Sequence, residues 1–135
     1  MRITDKIEEI QEYLAELEEF MPDTFEGYRH DSKTKAACER YFEKIIEAAV
    51  DLAYLVIKNN GFKIPDDDKG AFDILAKEGI ITEILAARLK DAKGMRNIIS
   101  HEYGTVEDEI VFESITQDLS KDVHEFLKAV KDALK

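Results

Sequence analysis

Isoleucine, leucine and methionine recur at positions 3, 7, 10, 14, 17 and 21, at intervals of four, three, four, three and four. That spacing lays one apolar stripe along a helix, and glutamates fill the opposite face. Thr4 or Asp5 is placed to cap its start, and Pro22 follows its end. Residues 23–30 carry no such period and read as a loop. From Asp31 or Ser32 to Asn60 the apolar positions come in pairs: Tyr41 with Phe42, Ile45 with Ile46, Ala48 with Ala49, Leu52 with Ala53, Leu55 with Val56. Doubling widens the buried face, so this second helix is expected at the centre, touching neighbours on two sides. Gly61 is its expected stop.

The segment "FKIPDDDKG" reads as a turn whose acidic triplet opens a short third helix over 69–77, closed by Gly79. Thr82 with Glu83 opens a fourth helix that runs to Gly104. A last helix is predicted over 107–134, with Phe112, Ile115, Leu119, Val123, Phe126, Val130 and Leu134 on one face. No strand, repeat or linker interrupts the pattern. The expectation is a single all-α domain spanning residues 1–135, an up-and-down bundle of four long helices and one short one.

Composition narrows the function. At 44% apolar and 36% charged residues in a chain of 135, one core is affordable and two domains would be cramped. A net charge of −11 argues against tight, non-specific nucleic-acid binding, which needs many lysine and arginine contacts to phosphate. It leaves room for an enzyme that meets RNA at one local basic site, or for a basic protein partner. No stretch approaches the roughly 18 consecutive apolar residues of a membrane span. The acidic N-terminus does not read as a signal peptide. The single cysteine, Cys38, cannot form an intramolecular disulfide, which fits a reducing cytoplasm.

The fourth helix carries an anomaly in "MRNIISHEYG", residues 95–104. With Ala92 set at zero and about 100° per residue, Leu85, Leu89, Met95 and Ile99 form the apolar face. Arg96 at about 40° and Tyr103 at about 20° fall within it, and Arg88 lies near 320°. A guanidinium on a core-facing stripe is costly unless paired or opened onto a cleft or interface. His101 is displaced from Arg96 by about 140°. Either the last turn unwinds, or the long arginine reaches around, or the working site joins residues of two subunits. The third arrangement, helped by the first, is favoured.

Between Thr82 and His101 four basic residues (Arg88, Lys90, Lys93, Arg96) face two acidic ones (Glu83, Asp91), a local excess of two positive charges. Arg29, Lys33, Lys35, Arg40 and Lys44 form a second basic run. A positive spot on an acidic protein can draw in a phosphate chain.

These residue types permit RNA cleavage without a metal. Histidine can remove a ribose 2′-hydroxyl proton near neutral pH. The oxygen then attacks the adjacent phosphorus, and arginine stabilises the crowded anionic phosphate. The products would be a 2′,3′-cyclic phosphate and a 5′-hydroxyl. Tyr103 could bond the phosphate or stack on a base, with Asn97 and Ser100 as supporting groups. A plainer reading stays open: basic residues near a helix C-terminus suit its dipole, while Tyr103 packs on the core.

The order of segments adds to this. "RNIISHEY" resembles the R-x-x-x-x-H-x-Y signature of the HEPN ribonuclease superfamily, in particular its HepT toxin branch. The resemblance extends through "ERYFEKIIEAAVDLAYLVIKNNGFKIPDD", "AFDILAKEGIITEILAARLKDAKGMRNIISHEYG" and "EIVFESITQDLSKDVHEFLKAV", so it covers residues 3–134. It implies a HEPN bundle acting as a homodimer, with the motifs of both subunits facing a shared cleft. It implies metal-independent RNA cleavage, of tRNA or mRNA, with Arg96 and His101 catalytic. The partner would be an MntA-like nucleotidyltransferase antitoxin of a type VII toxin–antitoxin system, which attaches AMP to Tyr103. The alternative is a non-catalytic HEPN binding module that partners a nucleotidyltransferase.

Other features read plainly. His30 and His124 have no ligand spacing that suggests zinc. "PDDDKG" lacks the spacing of a calcium loop. Cys38 is expected to pack, and without a glycine-rich phosphate loop no ATP or other cofactor is expected.

Overall fold

The computed structural model describes residues 2–101 and 108–134, with residues 97–101 described by their backbone alone. Helix α1 spans Ile3–Phe20 and buries Ile7, Ile10, Leu14 and Leu17, the stripe read from the sequence. Its cap differs from expectation. The helix begins before Thr4, Arg2 is the capping residue, and no side chain caps it. Asp5 instead lies in the first turn, where its charge suits the dipole.

Residues 23–30 are not a loop throughout. A six-residue helix, α2, spans Phe25–His30, started by the Thr24 hydroxyl accepting from the Gly27 N–H at 3.1 Å. What stabilises so short a helix is tertiary. Tyr28 is fully buried, donates to Glu39 at 2.8 Å, and packs with Phe25 against the ring of Phe112. No helical period can register in six residues, which is why pattern alone assigned a loop.

Helix α3, Ser32–Asn60, follows the paired pattern closely. The Asp31 carboxylate accepts from the Thr34 N–H at 3.2 Å, and Gly61 closes the helix in the left-handed conformation at φ 68°. Of the paired positions, Tyr41 and Leu55 are half-buried and the others fully buried. The wide apolar face lets α3 pack against α1 on one side and α4 and α5 on the other.

Helix α4 spans Asp68–Lys77, capped by Asp67, which accepts from the Gly70 N–H at 2.7 Å. Gly79, at φ 78°, turns the chain toward α5, Glu83–His101. The Thr82 hydroxyl caps α5, accepting from the Leu85 N–H at 3.0 Å. Gly104, the expected stop, lies outside the described residues.

The last helix is interrupted. Helix α6 spans Asp108–Glu113, a π turn follows over Ser114–Leu119, and α7 spans Ser120–Ala133. Right-handed helical backbone at Glu113 and Ser120 keeps the rod continuous through the wider turn. The stripe still works, burying Ile115, Leu119, Val123, Phe126 and Val130. Leu134, expected on that face, is 44% exposed at its end. Among the described residues there is no strand, and no helix is long and apolar enough to cross a membrane.

Candidate functional site

Helix α5 turns Leu85, Ala86 and Leu89 into the core, with Ala92 and Met95 half-buried beyond them. Arg96 continues that face. Its side chain is 20% exposed, and its Nη2 lies 3.4 Å from the Glu47 Oε1 of α3. The guanidinium expected to need a partner therefore has one, at the edge of the core. Arg88 is relieved differently: it is half-exposed and lies 3.7 Å from Asp122 of α7.

The positive excess along α5 is offset by its neighbours. Lys90 pairs with Asp73 at 2.9 Å and Lys93 with Asp68 at 3.5 Å, both on α4. Lys93 is nearly buried, so these contacts tie α4 to α5 as well as neutralising charge. The second basic run is likewise divided. Lys35 faces Glu39 and Asp108, Arg40 faces Glu43, and the Lys44 ammonium lies over the rings of Tyr13 and Tyr41 at 4.4 and 4.8 Å. Arg29 and Lys33 of that run are exposed at the surface.

His101 is the last residue of α5, and Asn97 and Ser100 lie in its final turns. Their side chains, and Tyr103 altogether, fall outside the described residues, and the expected meeting of Arg96 with His101 falls outside them too. His30 is exposed and lies 2.9 Å from Glu26, and His124 is exposed on α7. Among the described residues no group of three or more His, Cys, Asp or Glu could hold a metal.

Cys38 is fully buried, its thiol directed at the Met21 sulfur at 3.8 Å. Burial, then the Glu39 charge, pushes that thiol up to about 11, which keeps it protonated and unreactive. It packs, as expected.

Two residues escaped the reading of the sequence. Glu47 is a single exposed carboxylate on a helix rich in them, and nothing in its spacing ties it to a position 49 residues later. Asp122 offered more signal, because it directly precedes Val123 on the buried stripe. Its carboxylate is nearly buried, and burial raises its protonation range while Arg88 opposes the rise.

Known proteins resemble this chain in sequence and in fold. The sequence model of a family described as Ribonuclease HepT-like matches residues 10–130. A candidate RNase of Archaeoglobus fulgidus is 31% identical, over 98% of this chain and 93% of its own length. The mRNA nuclease HepT of Shewanella oneidensis is 25% identical, over 96% of each chain. Among solved structures, the tri-AMPylated HEPN toxin of Shewanella oneidensis, in complex with MNT antitoxin, superposes with a TM-score of 0.89 at 25% identity and 96% coverage of each chain. With a family match over nearly its whole length and the same helical architecture, this chain belongs to the HepT-like ribonucleases and has the all-α HEPN fold.

Proposed function

We propose that this chain is a single-domain endoribonuclease toxin of a type VII toxin–antitoxin pair, cleaving RNA without a metal through Arg96 and His101. The observation that carries the reading is Arg96 itself, held at the edge of the core by Glu47, in a HepT-like chain that retains the Arg, His and Tyr of the motif. A partly exposed ion pair contributes only about 0–1 kcal/mol to stability. Core economy therefore gives little reason to keep an arginine there, whereas aiming a guanidinium at a phosphate does.

In this mechanism His101 takes the proton of the ribose 2′-hydroxyl, and the 2′ oxygen bonds to the adjacent phosphorus. The P–O5′ bond breaks, and a proton is returned to the departing 5′ oxygen. Arg96 balances the charge that builds on the phosphate oxygens. A 2′,3′-cyclic phosphate and a 5′-hydroxyl result. Asn97 and Ser100 support the histidine or the phosphate, and Tyr103 bonds the substrate. The displacement of about 140° between Arg96 and His101 on one helix favours a homodimer in which both motifs face one cleft. The substrate is tRNA or mRNA, and the reaction takes place in the cytoplasm.

The relatives' descriptions support a partner as well. A HEPN toxin of the same fold is tri-AMPylated and bound to an MNT antitoxin. We assign the equivalent role here to an MntA-like nucleotidyltransferase that attaches AMP to Tyr103, whose added bulk and charge would keep RNA from the cleft. The deciding experiment incubates the purified chain with RNA in EDTA, beside Arg96→Ala and His101→Ala. Cleavage by the native chain alone, leaving cyclic phosphate ends, is the expected result. Cleavage by both variants, or dependence on added metal, would overturn the reading. Incubation with the nucleotidyltransferase and ATP should add the mass of AMP to the peptide carrying Tyr103.

A further inference from the structure

We infer that the cavity between α3, α5 and the π turn of the last helix holds an unpaired guanine of the RNA strand, with the Asp122 carboxylate accepting its two adjacent N–H donors. The inference rests on the nuclease reading and adds a base preference to it.

The cavity has a volume of about 270 Å³, enough for one base. Phe42, Ile46, Leu89 and Val123 give it apolar walls, suited to the face of an aromatic ring. Its charged groups are mixed. Asp91, Asp118 and Asp122 outnumber Arg88 and Lys121, so the lining disfavours a phosphate and favours a neutral group rich in donors.

Asp122 is the group best placed to read such an edge. It is only 7% exposed, yet its ion-pair partner Arg88 stands 3.7 Å away, beyond hydrogen-bond length. A desolvated carboxylate with acceptor capacity to spare gains from any donor that fills it. The wall opposite α5 is built by the π turn, a rare element that recurs at functional sites. Ser114 and Asp118 of that turn both line the cavity.

The position matches the chemistry. Ile46 lines the cavity and precedes Glu47; Met95 lines it and precedes Arg96. Ala92, in the same wall, is one helical turn or about 6 Å from Arg96 along the axis. A base lodged there leaves its own phosphate beside the Arg96–Glu47 pair.

Guanine is the base that fits a carboxylate. Its N1–H and N2–H lie side by side and match two carboxylate oxygens, while the half-exposed Arg88 can donate to O6. Adenine and cytosine set a ring acceptor beside their amino group, and uracil flanks its one N–H with two carbonyls. Each would direct an acceptor at Asp122.

The test titrates GMP, AMP, CMP and UMP separately into the full chain by calorimetry. GMP should bind about tenfold tighter than each of the others, as one bidentate base contact provides. Asp122→Asn should bring GMP level with the rest. Ala92→Leu, which fills the cavity, should remove GMP binding, and circular-dichroism melts show that each variant is folded. On RNA of random sequence, native cuts should cluster beside G, and Asp122→Asn should cut without that bias. Equal affinity for all four nucleotides, or undiminished GMP binding by a folded variant, overturns the inference. A chain that binds GMP through Asp122 but cuts no RNA would defeat the nuclease reading while leaving a guanine-nucleotide site.

Discussion

Helices α3 and α5 both cross the core, but they differ in how far they draw charge into it. Every fully buried residue of α3 is uncharged, and its charged side chains are exposed or, like Lys35, Glu39 and Glu43, lie at the edge of the core. Helix α5 draws a nearly buried Lys93 and a mostly covered Arg96 into its packing, and each meets a carboxylate from a neighbouring helix. Burying charge costs several kcal/mol per ion before pairing offsets it. A scaffold has little reason to accept such a cost, and α3 does not. The contrast separates a helix whose fully buried residues are all uncharged from the helix that carries the residues proposed for chemistry, and each of its sides can be broken.

The largest effects should fall on α5 and leave the fold alone. Arg96→Ala and His101→Ala should each lower cleavage by about 10²–10⁴-fold, the usual worth of a charge-stabilising donor or a proton-transfer group. Thermal melts within a few degrees of the native chain would show that activity and stability are separable there. Retained cleavage in both would remove Arg96 and His101 from the chemistry, whereas no cleavage by the native chain would leave the alternative of a non-catalytic partner of a nucleotidyltransferase.

Leu52→Ala on α3 should do the reverse. The side chain is fully buried, so its truncation should cost about 2–5 kcal/mol in chemical denaturation. Activity per folded molecule should be unchanged. A loss of turnover in the folded fraction would mean that α3 contributes to chemistry directly.

Glu47 tests a point where the two helices meet beside the proposed site. Glu47→Ala should lower kcat about tenfold through misalignment of Arg96, a modest part of what a 1 Å misplacement can cost. Glu47→Gln, which keeps an acceptor, should recover most of it. Faster cleavage or tighter RNA binding by Glu47→Ala would instead make Glu47 a competitor of the phosphate.

The smallest effect concerns Cys38 on the scaffold side. Its thiol ionises near 9 in the unfolded chain and near 11 in the folded one. The folded state keeps the proton longer, so this contribution is intact below pH 9 and is lost as pH rises toward 11. Denaturation midpoints should fall more steeply across that window in the native chain than in Cys38→Ala. Parallel slopes would show that the thiol takes no part.

Much of this was legible in the residues because a repeated pattern averages over many side chains. The stripe of α1 and the doubled face of α3 each rest on several independent positions, and Gly61 and Gly79 mark turns whose positive φ favours glycine. The short α2 was hidden because a buried tyrosine, not a period, holds it. The π turn was hidden because an apolar stripe spaced by threes and fours is compatible with an uninterrupted helix.

The site divides along the same line. Arg96 stood out as a cation on an apolar stripe, which is a local inconsistency that one helix can display by itself. Glu47 and Asp122 could not stand out in that way. Their meaning depends on which helix lies opposite, and a pairing between distant positions leaves no period in a single chain. The sequence by itself determined the long helices, most of their buried faces and the residue types available for chemistry, because these follow from local geometry and the burial of apolar surface. Only the tertiary structure decided which carboxylates answer the cations of α5 and where a cavity remains, because both arise from distances between elements.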